Sequence, residues 1–198
     1  MFWKSIFVSV ILLPALAIQS LQAQQNLSSP VNRLLPVPQK MQFTNQHFLF
    51  DESWTIACGN LPENDAACSS LQAELKTRFG ITLRTHRGKS RSNEKTITLK
   101  IQRGTVPIGE TTDTNRTALK KQAYRLTLQQ HNITILANAP QGLFYGVQTL
   151  LQSLEAQHRS VYFTTGEIED WPDLDLRIIY WDDAHHLERP DALKRAIR

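Results

Sequence analysis

The stretch Ala123-Tyr-Arg-Leu-Thr-Leu-Gln-Gln-His-Asn-Ile-Thr-Ile-Leu-Ala137 decides the fold of this chain. Apolar and polar residues alternate on both sides of residues 129–132, which is typical of two antiparallel strands joined by a short turn. The side chains predicted to share the buried face of this hairpin are Tyr124, Leu126, Leu128, Ile133 and Ile135. The stretch therefore predicts a sheet with one face in the core and the other in water.

A helix is predicted directly after the hairpin. Asn138 is a residue type that caps helices, and Pro140 suits the first turn, where its missing N–H needs no partner. The apolar residues that follow recur at helical spacing and form one broad stripe: Leu143, Phe144, Val147, Leu150, Leu151 and Leu154. We expect this stripe to lie in the core.

Further elements are predicted on either side of these two. Asn64 or Asp65 can cap an earlier helix that ends at a glycine stop, Gly80. Short strands are predicted within residues 48–56, 81–84, 96–101 and 161–165. The sum is a small α+β domain in which a mostly antiparallel sheet carries two helices on one face.

The end of the chain has a different character. Ile168-Glu-Asp-Trp-Pro-Asp-Leu-Asp-Leu-Arg177 is typical of a connector, and residues 178–186 are typical of one barrel strand leading into a helix. A (β/α)₈ barrel typically needs about 250 residues, whereas this sequence ends at Arg198. We therefore expect residues 168–198 to be the truncated start of a barrel, preceded by the α+β domain over residues 35–167.

The N-terminus has the pattern of a secretory signal peptide. Lys4 precedes an apolar run over residues 6–18, which is too short to span a bilayer, and Ala23 is the best cleavage position. We expect a signal peptide over residues 1–23, a flexible lead-in over residues 24–34, and a periplasmic or secreted protein with no membrane contact after cleavage. An uncleaved membrane anchor is the alternative.

The charge pattern does not favour a nucleic-acid partner. The net charge is +4, and basic residues crowd residues 84–95, where the only aromatic ring is that of His86. A nucleic-acid groove would interleave basic with aromatic residues. We interpret this segment as a solvated loop.

Cys58 and Cys68 are the only cysteines. In an oxidising compartment they can form a disulfide, and two buried free thiols are the alternative. Their spacing does not match a zinc site. The ligand-type residues within 182–186 would be divided between two faces of a strand, so we expect neither a metal nor a cofactor.

Three stretches resemble the N-terminal portion of glycoside hydrolase family 20, the β-N-acetylhexosaminidases. Leu35-Pro-Val-Pro-Gln39 is similar to the family's opening P-x-P segment. The hairpin with Ala139-Pro-Gln-Gly-Leu-Phe-Tyr-Gly-Val-Gln-Thr-Leu-Leu-Gln152 is similar to its hairpin and G-x-x-Y-G-x-Q-T-L-x-Q helix, and residues 168–186 to the passage that opens its catalytic barrel. The resemblance implies a non-catalytic, zincin-like domain followed by the first strand of the barrel.

The resemblance also assigns residues within the barrel-opening passage. Arg177 falls on the family's arginine, which holds hydroxyls of the terminal N-acetylhexosamine, and the fixed donor fork of a guanidinium suits that task. Asp182 falls on the family's strand aspartate and His186 on its histidine.

The passage departs from the family's pattern at two positions. Ile178 replaces a glycine and His185 replaces an arginine, which weakens the assignment of sugar binding to Arg177. The alternative role for Arg177 is an ordinary salt bridge to Asp173 or Asp175.

The resemblance implies a reaction in which the acetamido oxygen of the sugar attacks the anomeric carbon, a glutamic acid protonates the leaving oxygen and an aspartate orients the amide. We expect that Asp-Glu pair on a later barrel strand, and we assign no catalytic residue within this sequence.

The predicted function is the non-catalytic portion of an exported β-N-acetylhexosaminidase-like hydrolase, with N-acetylhexosamine-containing glycans as the carbohydrate partner. Two alternatives stay open. One is a stand-alone carbohydrate-binding or interaction module, and the other is the same domain from an O-GlcNAcase-like or α-glucuronidase-like hydrolase.

Overall fold

A computed structural model of the chain describes residues 34–88 and 94–178, together with Arg189 and Asp191. The predicted signal peptide, nearly all of the predicted lead-in, and the family-matching positions Asp182 and His186 lie outside the described residues. None of the helices in the described ranges is long and apolar enough to cross a membrane.

Eight strands and three helices make up the described part of the chain. The strands are β1 (Lys40–Phe50), β2 (Thr55–Ala57), β3 (Arg84–His86), β4 (Thr96–Ile101), β5 (Tyr124–Leu128), β6 (Asn132–Ala137), β7 (Glu155–Gln157) and β8 (Ser160–Asp170). The helices are α1 (Ala66–Phe79), α2 (Arg116–Gln122) and α3 (Pro140–Ser153).

All eight strands belong to one sheet, in the order β1-β8-β5-β6-β4-β2-β3, with β7 also paired to β8. The pairings around β8 and β5 are antiparallel, whereas β4 runs parallel to β6 and β2, and β2 runs parallel to β3. The sheet is therefore mixed: four of its seven strand pairings are antiparallel, as predicted for most of the sheet, and the other three are parallel. Parallel neighbours need a crossover connection, and α1 supplies it between β2 and β3. These two strands have only three residues each, too few to show their direction in the sequence.

The predicted hairpin is confirmed as β5 and β6. Leu126 lies opposite Ile135, and Leu128 lies opposite Ile133. These four side chains are almost fully buried, as is Tyr124. The alternation of apolar and polar residues therefore set both the pairing and the buried face, as a period of two requires.

Helix α1 begins and ends as its sequence predicts. The carboxylate of Asp65 accepts hydrogen bonds from the backbone N–H groups of Ala67 and Cys68. Gly80 ends the helix in the left-handed conformation, with φ of 70°, and its N–H bonds back to the last turn. The first turn also carries Cys68, which forms a disulfide with Cys58 at the end of β2.

Helix α3 corrects two details of the prediction. Its N-cap is Ala139, with no side-chain hydrogen bond, because the amide of Asn138 bonds instead to the backbone of Val106 and Lys120. Phe144 is 36% exposed, so it lies at the edge of the apolar stripe. The other five residues of the stripe are buried.

Helix α2 has no counterpart among the predicted elements. It has seven residues, its N-terminus is capped by the side chain of Asn115, and it buries Leu119 and Gln122. A helix this short shows too little apolar periodicity to stand out in a sequence, and it depends on tertiary contacts for its stability.

Strand β8 is longer than predicted and continues through Asp170. Ile168 is fully buried, opposite Leu126 on one side and Met41 on the other. The predicted boundary at residue 167 falls inside this strand. One core cluster contains side chains from the inward face of the sheet, from α1 and from α3. Ile168 belongs to this cluster, so the core holds the end of β8 that leads into the connector.

Candidate functional site

A cavity of about 450 Å³ lies between the opening segment 34–39, helix α3 and the connector, which we define as residues 171–177. These three segments come from the three stretches that carry the family resemblance. The side chains that line the cavity outside the opening segment and the connector are Gln122, Tyr124, Tyr145, Gln148, Thr149, Gln152 and Asp170. The fold therefore brings together residues from three distant parts of the sequence.

Asp170 lies half-buried in the floor of this cavity, at the end of β8. Its carboxylate accepts a hydrogen bond from the backbone N–H of Gln39 at 3.1 Å and one from the Tyr124 hydroxyl at 3.2 Å. Burial raises the pKa of Asp170, although these hydrogen bonds and the charge of Arg177 oppose the increase. Asp170 thus joins the opening segment, the central strands and the connector at one point.

Tyr124 completes the floor. Its hydroxyl lies 2.5 Å from the hydroxyl of Thr149 on α3, and the residue is 2% exposed. Burial and the nearby charge of Asp170 raise the pKa of Tyr124 far above its usual value. Its phenol therefore stays neutral, which lets it donate to the carboxylate while it contacts Thr149.

Gln152 fixes the opening segment against α3. The backbone N–H of Leu35 donates to its side-chain oxygen at 2.9 Å, and its side-chain nitrogen donates to the Leu35 carbonyl at 3.1 Å. This paired contact resembles a rung of a sheet ladder. It positions one wall of the cavity on a rigid helix.

Arg177 closes the cavity from the connector. Its guanidinium donates to the carbonyl of Leu174 at 2.8 Å, to the side-chain oxygen of Gln122 at 2.9 Å and to the hydroxyl of Tyr145 at 3.3 Å. The guanidinium carbon also lies 5.7 Å from the centre of the Tyr145 ring. Within the described ranges Arg177 makes no salt bridge to Asp173 or Asp175, so the structure does not support that alternative.

Exposed apolar side chains come from the same segments that line the cavity. Among the described residues the large hydrophobic side chains that stay exposed are Leu49 and six others. These six belong to the opening segment, to α3 and to residues 174–178, and we call them the apolar rim: Leu35, Val37, Phe144, Leu174, Leu176 and Ile178. Three of them, Leu35, Val37 and Leu174, line the cavity itself. Large exposed apolar patches mark sites where a protein, a membrane or a ligand binds.

The other residues singled out in the sequence lie elsewhere. The disulfide between Cys58 and Cys68 joins β2 to α1 and does not line the cavity. Asp182 and His186 are outside the described residues. In the part of the chain that the structure describes, no group of three His, Cys, Asp or Glu side chains is placed to hold a metal ion.

Sequence reasoning missed three residues of this site. It placed Tyr124 in the core without its hydroxyl contacts, and it assigned no role to Gln122 or Asp170. Asp170 could have been noticed, since it falls two residues after Ile168 and so shares the face of the strand on which Ile168 is buried, where a carboxylate needs partners. Gln122 offered no signal, because the short helix that presents it was not predicted.

The family model described as glycosyl hydrolase family 20, domain 2, matches residues 31–171. A comparison with curated protein sequences gave no match.

Solved structures share the fold of this domain. The GH20 β-N-acetylhexosaminidase from Streptomyces coelicolor A3(2) is 26% identical with a TM-score of 0.63, and the match covers 85% of this chain and 32% of that one. The GH20 exo β-N-acetylglucosaminidase from Vibrio harveyi, in complex with N-acetylglucosamine, is 24% identical with a TM-score of 0.58, over 86% of this chain and 24% of that one. The chitobiase from Flavobacterium johnsoniae is 23% identical with a TM-score of 0.56, over 83% and 24%.

This chain therefore matches only about a quarter to a third of the length of these structures. The residues that the family model matches include two of the three motifs in full, the start of the third and most of the residues that line the cavity. On the strength of the family model, which spans most of the described sheet and helices, the chain belongs to glycosyl hydrolase family 20 and contains its domain 2.

Proposed function

We propose that this chain is the non-catalytic portion of an exported β-N-acetylhexosaminidase-like glycoside hydrolase, and that it holds the rest of that hydrolase in place. The observation that carries the proposal is the apolar rim, whose residues belong partly to the family-20 domain and partly to the segment directly after it. Export is supported by the apolar run over residues 6–18. The carbohydrate would be a glycan that contains N-acetylhexosamine.

The occupant of the apolar rim is the remainder of the hydrolase, whose first strand would begin in residues 178–186. The match to the solved relatives leaves about two thirds or more of their length unaccounted for. Leu174, Leu176 and Ile178 alternate along the very segment that leads toward it. A partner joined through the connector loses less translational freedom on docking than a separate molecule would, so a modest apolar area suffices.

The contact of Arg177 with sugar hydroxyls is part of the same proposal. Its guanidinium sits at the mouth of the cavity beside Tyr145, at the junction between the domain and the connector. In the whole hydrolase this junction would place an arginine next to the first barrel strand, where the family resemblance assigns a contact with sugar hydroxyls.

The test is a chimera. Residues 34–171 replace the corresponding segment of the Streptomyces coelicolor enzyme, and hydrolysis of a chromogenic N-acetylglucosaminide is followed during heating. We expect Leu35→Asp and Phe144→Asp to lower the temperature of half-inactivation in the chimera, because each loses about 1.5–3 kcal/mol of apolar burial against the barrel. In the separate 198-residue chain Leu35→Asp should leave the melting temperature nearly unchanged, since Leu35 is 73% exposed there. Phe144→Asp should cost less there than in the chimera, since part of the Phe144 side chain is already exposed.

Leu49→Asp is the matched control, because Leu49 is 43% exposed, between Phe144 at 36% and Leu35 at 73%, but lies on β1, outside the apolar rim. Equal effects of all three substitutions in the chimera would contradict the docking role. Turnover of the same substrate by the 198-residue chain alone, above the blank rate, would contradict the non-catalytic assignment.

A further inference from the structure

Residues 105–115 and helix α2 hold the connector in place by hydrogen bonds. We call this loop and helix together the clasp. The backbone N–H of Asp113 donates to the carbonyl of Asp173 at 3.0 Å, and the backbone N–H of Asp175 donates to the Asp113 carboxylate at 3.1 Å. The other oxygen of that carboxylate accepts from the N–H of Asn115 at 2.8 Å. These hydrogen bonds hold the pKa of Asp113 below its ordinary value. The carboxylate therefore stays ionised, and both of its oxygens remain hydrogen-bond acceptors.

The clasp is braced internally. Arg116 donates from its guanidinium to the Thr111 hydroxyl at 3.2 Å and to the Gly109 carbonyl at 3.0 Å. At its other end the buried amide of Asn138 both accepts from and donates to the backbone of Val106, at 2.9 and 2.8 Å. A loop fixed at both ends is a firm support for the segment that it holds.

Trp171, the first residue of the connector, is held by close packing. Trp171 is 5% exposed and packs on Val106 and Ala123. A Cβ atom at Gly109 would lie 2.7 Å from the Trp171 ring, so only glycine leaves room for the indole at this point. The indole N–H donates to the carbonyl of Glu110 at 3.4 Å.

Gln122 links the clasp to Arg177. Its side-chain nitrogen donates to the Asp175 carboxylate at 2.8 Å, and its side-chain oxygen accepts from the Arg177 guanidinium at 2.9 Å. The residue is 7% exposed. Because one end of the amide only donates and the other only accepts, these two contacts fix its orientation, and the amide then fixes the guanidinium.

We propose that Asp113 and Gln122 are positioning residues for Arg177. Asp113 sets the course of residues 173–175, Asp175 orients the amide of Gln122, and that amide holds the guanidinium in one direction at the mouth of the cavity. Helix α2 and the loop before it thus act on a residue more than fifty positions away in sequence.

The importance of this arrangement rests on the proposed function, in which Arg177 meets the sugar. An arginine that is already oriented in the free protein loses little freedom when its remaining N–H donors bind sugar hydroxyl groups, and misplacement by a fraction of an ångström weakens such contacts. A purely structural clasp would hold residues 173–175 without restraining the guanidinium.

The test uses the 198-residue chain with isotope labels and requires no catalytic activity. NMR measures rotation about the Nε–Cζ bond of the Arg177 guanidinium and the exchange rate of the Asp175 backbone amide. We expect Gln122→Ala to speed the rotation by about tenfold, since one hydrogen bond to a charged group is lost. Gln122→Glu keeps an acceptor for Arg177 and should restore slow rotation, although it loses the bond to Asp175.

Asp113→Ala should speed both the rotation and the amide exchange, each by about tenfold. Asp51→Ala is the control, because Asp51 also accepts hydrogen bonds two residues along its own turn, from Ser53, far from the connector; it should change neither rate.

The proposal is overturned if the Arg177 guanidinium of the unsubstituted chain rotates as fast as that of the exposed Arg84, or if Gln122→Ala leaves it unchanged. Either result leaves the chimera experiment intact. If the Arg177 guanidinium rotates slowly but the three substitutions have equal effects in the chimera, only the proposed function is refuted.

Discussion

Gly146 is a point of close contact between helix α3 and the sheet. A Cβ atom there would be 2.5 Å from Cγ2 of Ile135 and 3.1 Å from the Tyr124 ring. Both neighbours are fully buried side chains of the central hairpin, so neither can swing away. The glycine therefore lets the aromatic ring and the helix occupy the same layer.

We predict that Gly146→Ala destabilises the domain by about 1–3 kcal/mol, because overpacking against Ile135 and Tyr124 outweighs the gain in helix propensity. Urea unfolding followed by tryptophan fluorescence measures the difference. Gly88→Ala is the matched control, since a Cβ atom there meets nothing within 4 Å. A stabilised Gly146→Ala variant would show that the helix can move outward without cost.

At the scale of elements, a charged network ties three neighbouring strands together on the outer face of the sheet. Glu169 on β8 accepts from the Nε atom of Arg125 on β5 at 2.7 Å and from Lys40 on β1 at 3.4 Å. Burial alone would raise the pKa of Glu169, but the hydrogen bonds and charges of Arg125 and Lys40 outweigh it and hold the pKa below its ordinary value. The network therefore resists protonation.

The sign of the pH dependence follows from this shift. Because the folded-state pKa of Glu169 is lowered, its contribution is fully present above the unfolded value of 4.5 and is lost as the pH falls through the folded-state pKa. We predict that Glu169→Gln costs about 1–2 kcal/mol of unfolding free energy at neutral pH, and that its difference from the unsubstituted chain shrinks on acidification. Urea unfolding at a series of pH values measures it.

Glu167→Gln serves as the comparison, because Glu167 also lies 3.2 Å from Arg125 but its side chain is 53% exposed. Its effect should be much smaller, since solvent screens exposed pairs. Identical pH profiles for the two variants would mean that the position of Glu169 between two cations has no energetic consequence.

At the scale of the whole molecule, the disulfide secures the half of the sheet that is built from the shortest strands. Cys58 follows β2, and Cys68 lies in the first turn of α1. We predict that a reductant, or the Cys58→Ala/Cys68→Ala double substitution, lowers the unfolding free energy by about 2–3 kcal/mol, as expected for a loop of this size. Urea unfolding with and without reductant measures the loss, and the double variant should be insensitive to reductant.

Much of this fold could be predicted where the sequence is locally regular. The hairpin, the buried stripe of α3 and the caps of α1 follow from periodicity and from single capping residues, which are local properties. The parallel half of the sheet could not be predicted, because β2 and β3 owe their direction to a crossover and not to their own residues.

The site was predictable only in part for the same reason. Arg177 was found through a motif, whereas Gln122 and Asp113 contribute through contacts across the fold, from a short helix and a loop that show no pattern. Asn138 illustrates the general difficulty: as a residue type it favours a helix cap, but its amide is used to hold Val106. A side chain with several possible partners is assigned by the tertiary structure.

The pairing of β1 with β8 has a mechanical consequence. The strands are antiparallel, so the start of β1 and the end of β8 meet side by side, with Lys40 opposite Glu169 and Gln39 bonded to Asp170. A pulling force between the chain before residue 39 and the chain after residue 170 would load these rungs one at a time and peel the strands apart. Tension carried through this junction would thus separate β1 from β8 one pair at a time, beginning beside Asp170 at the floor of the cavity.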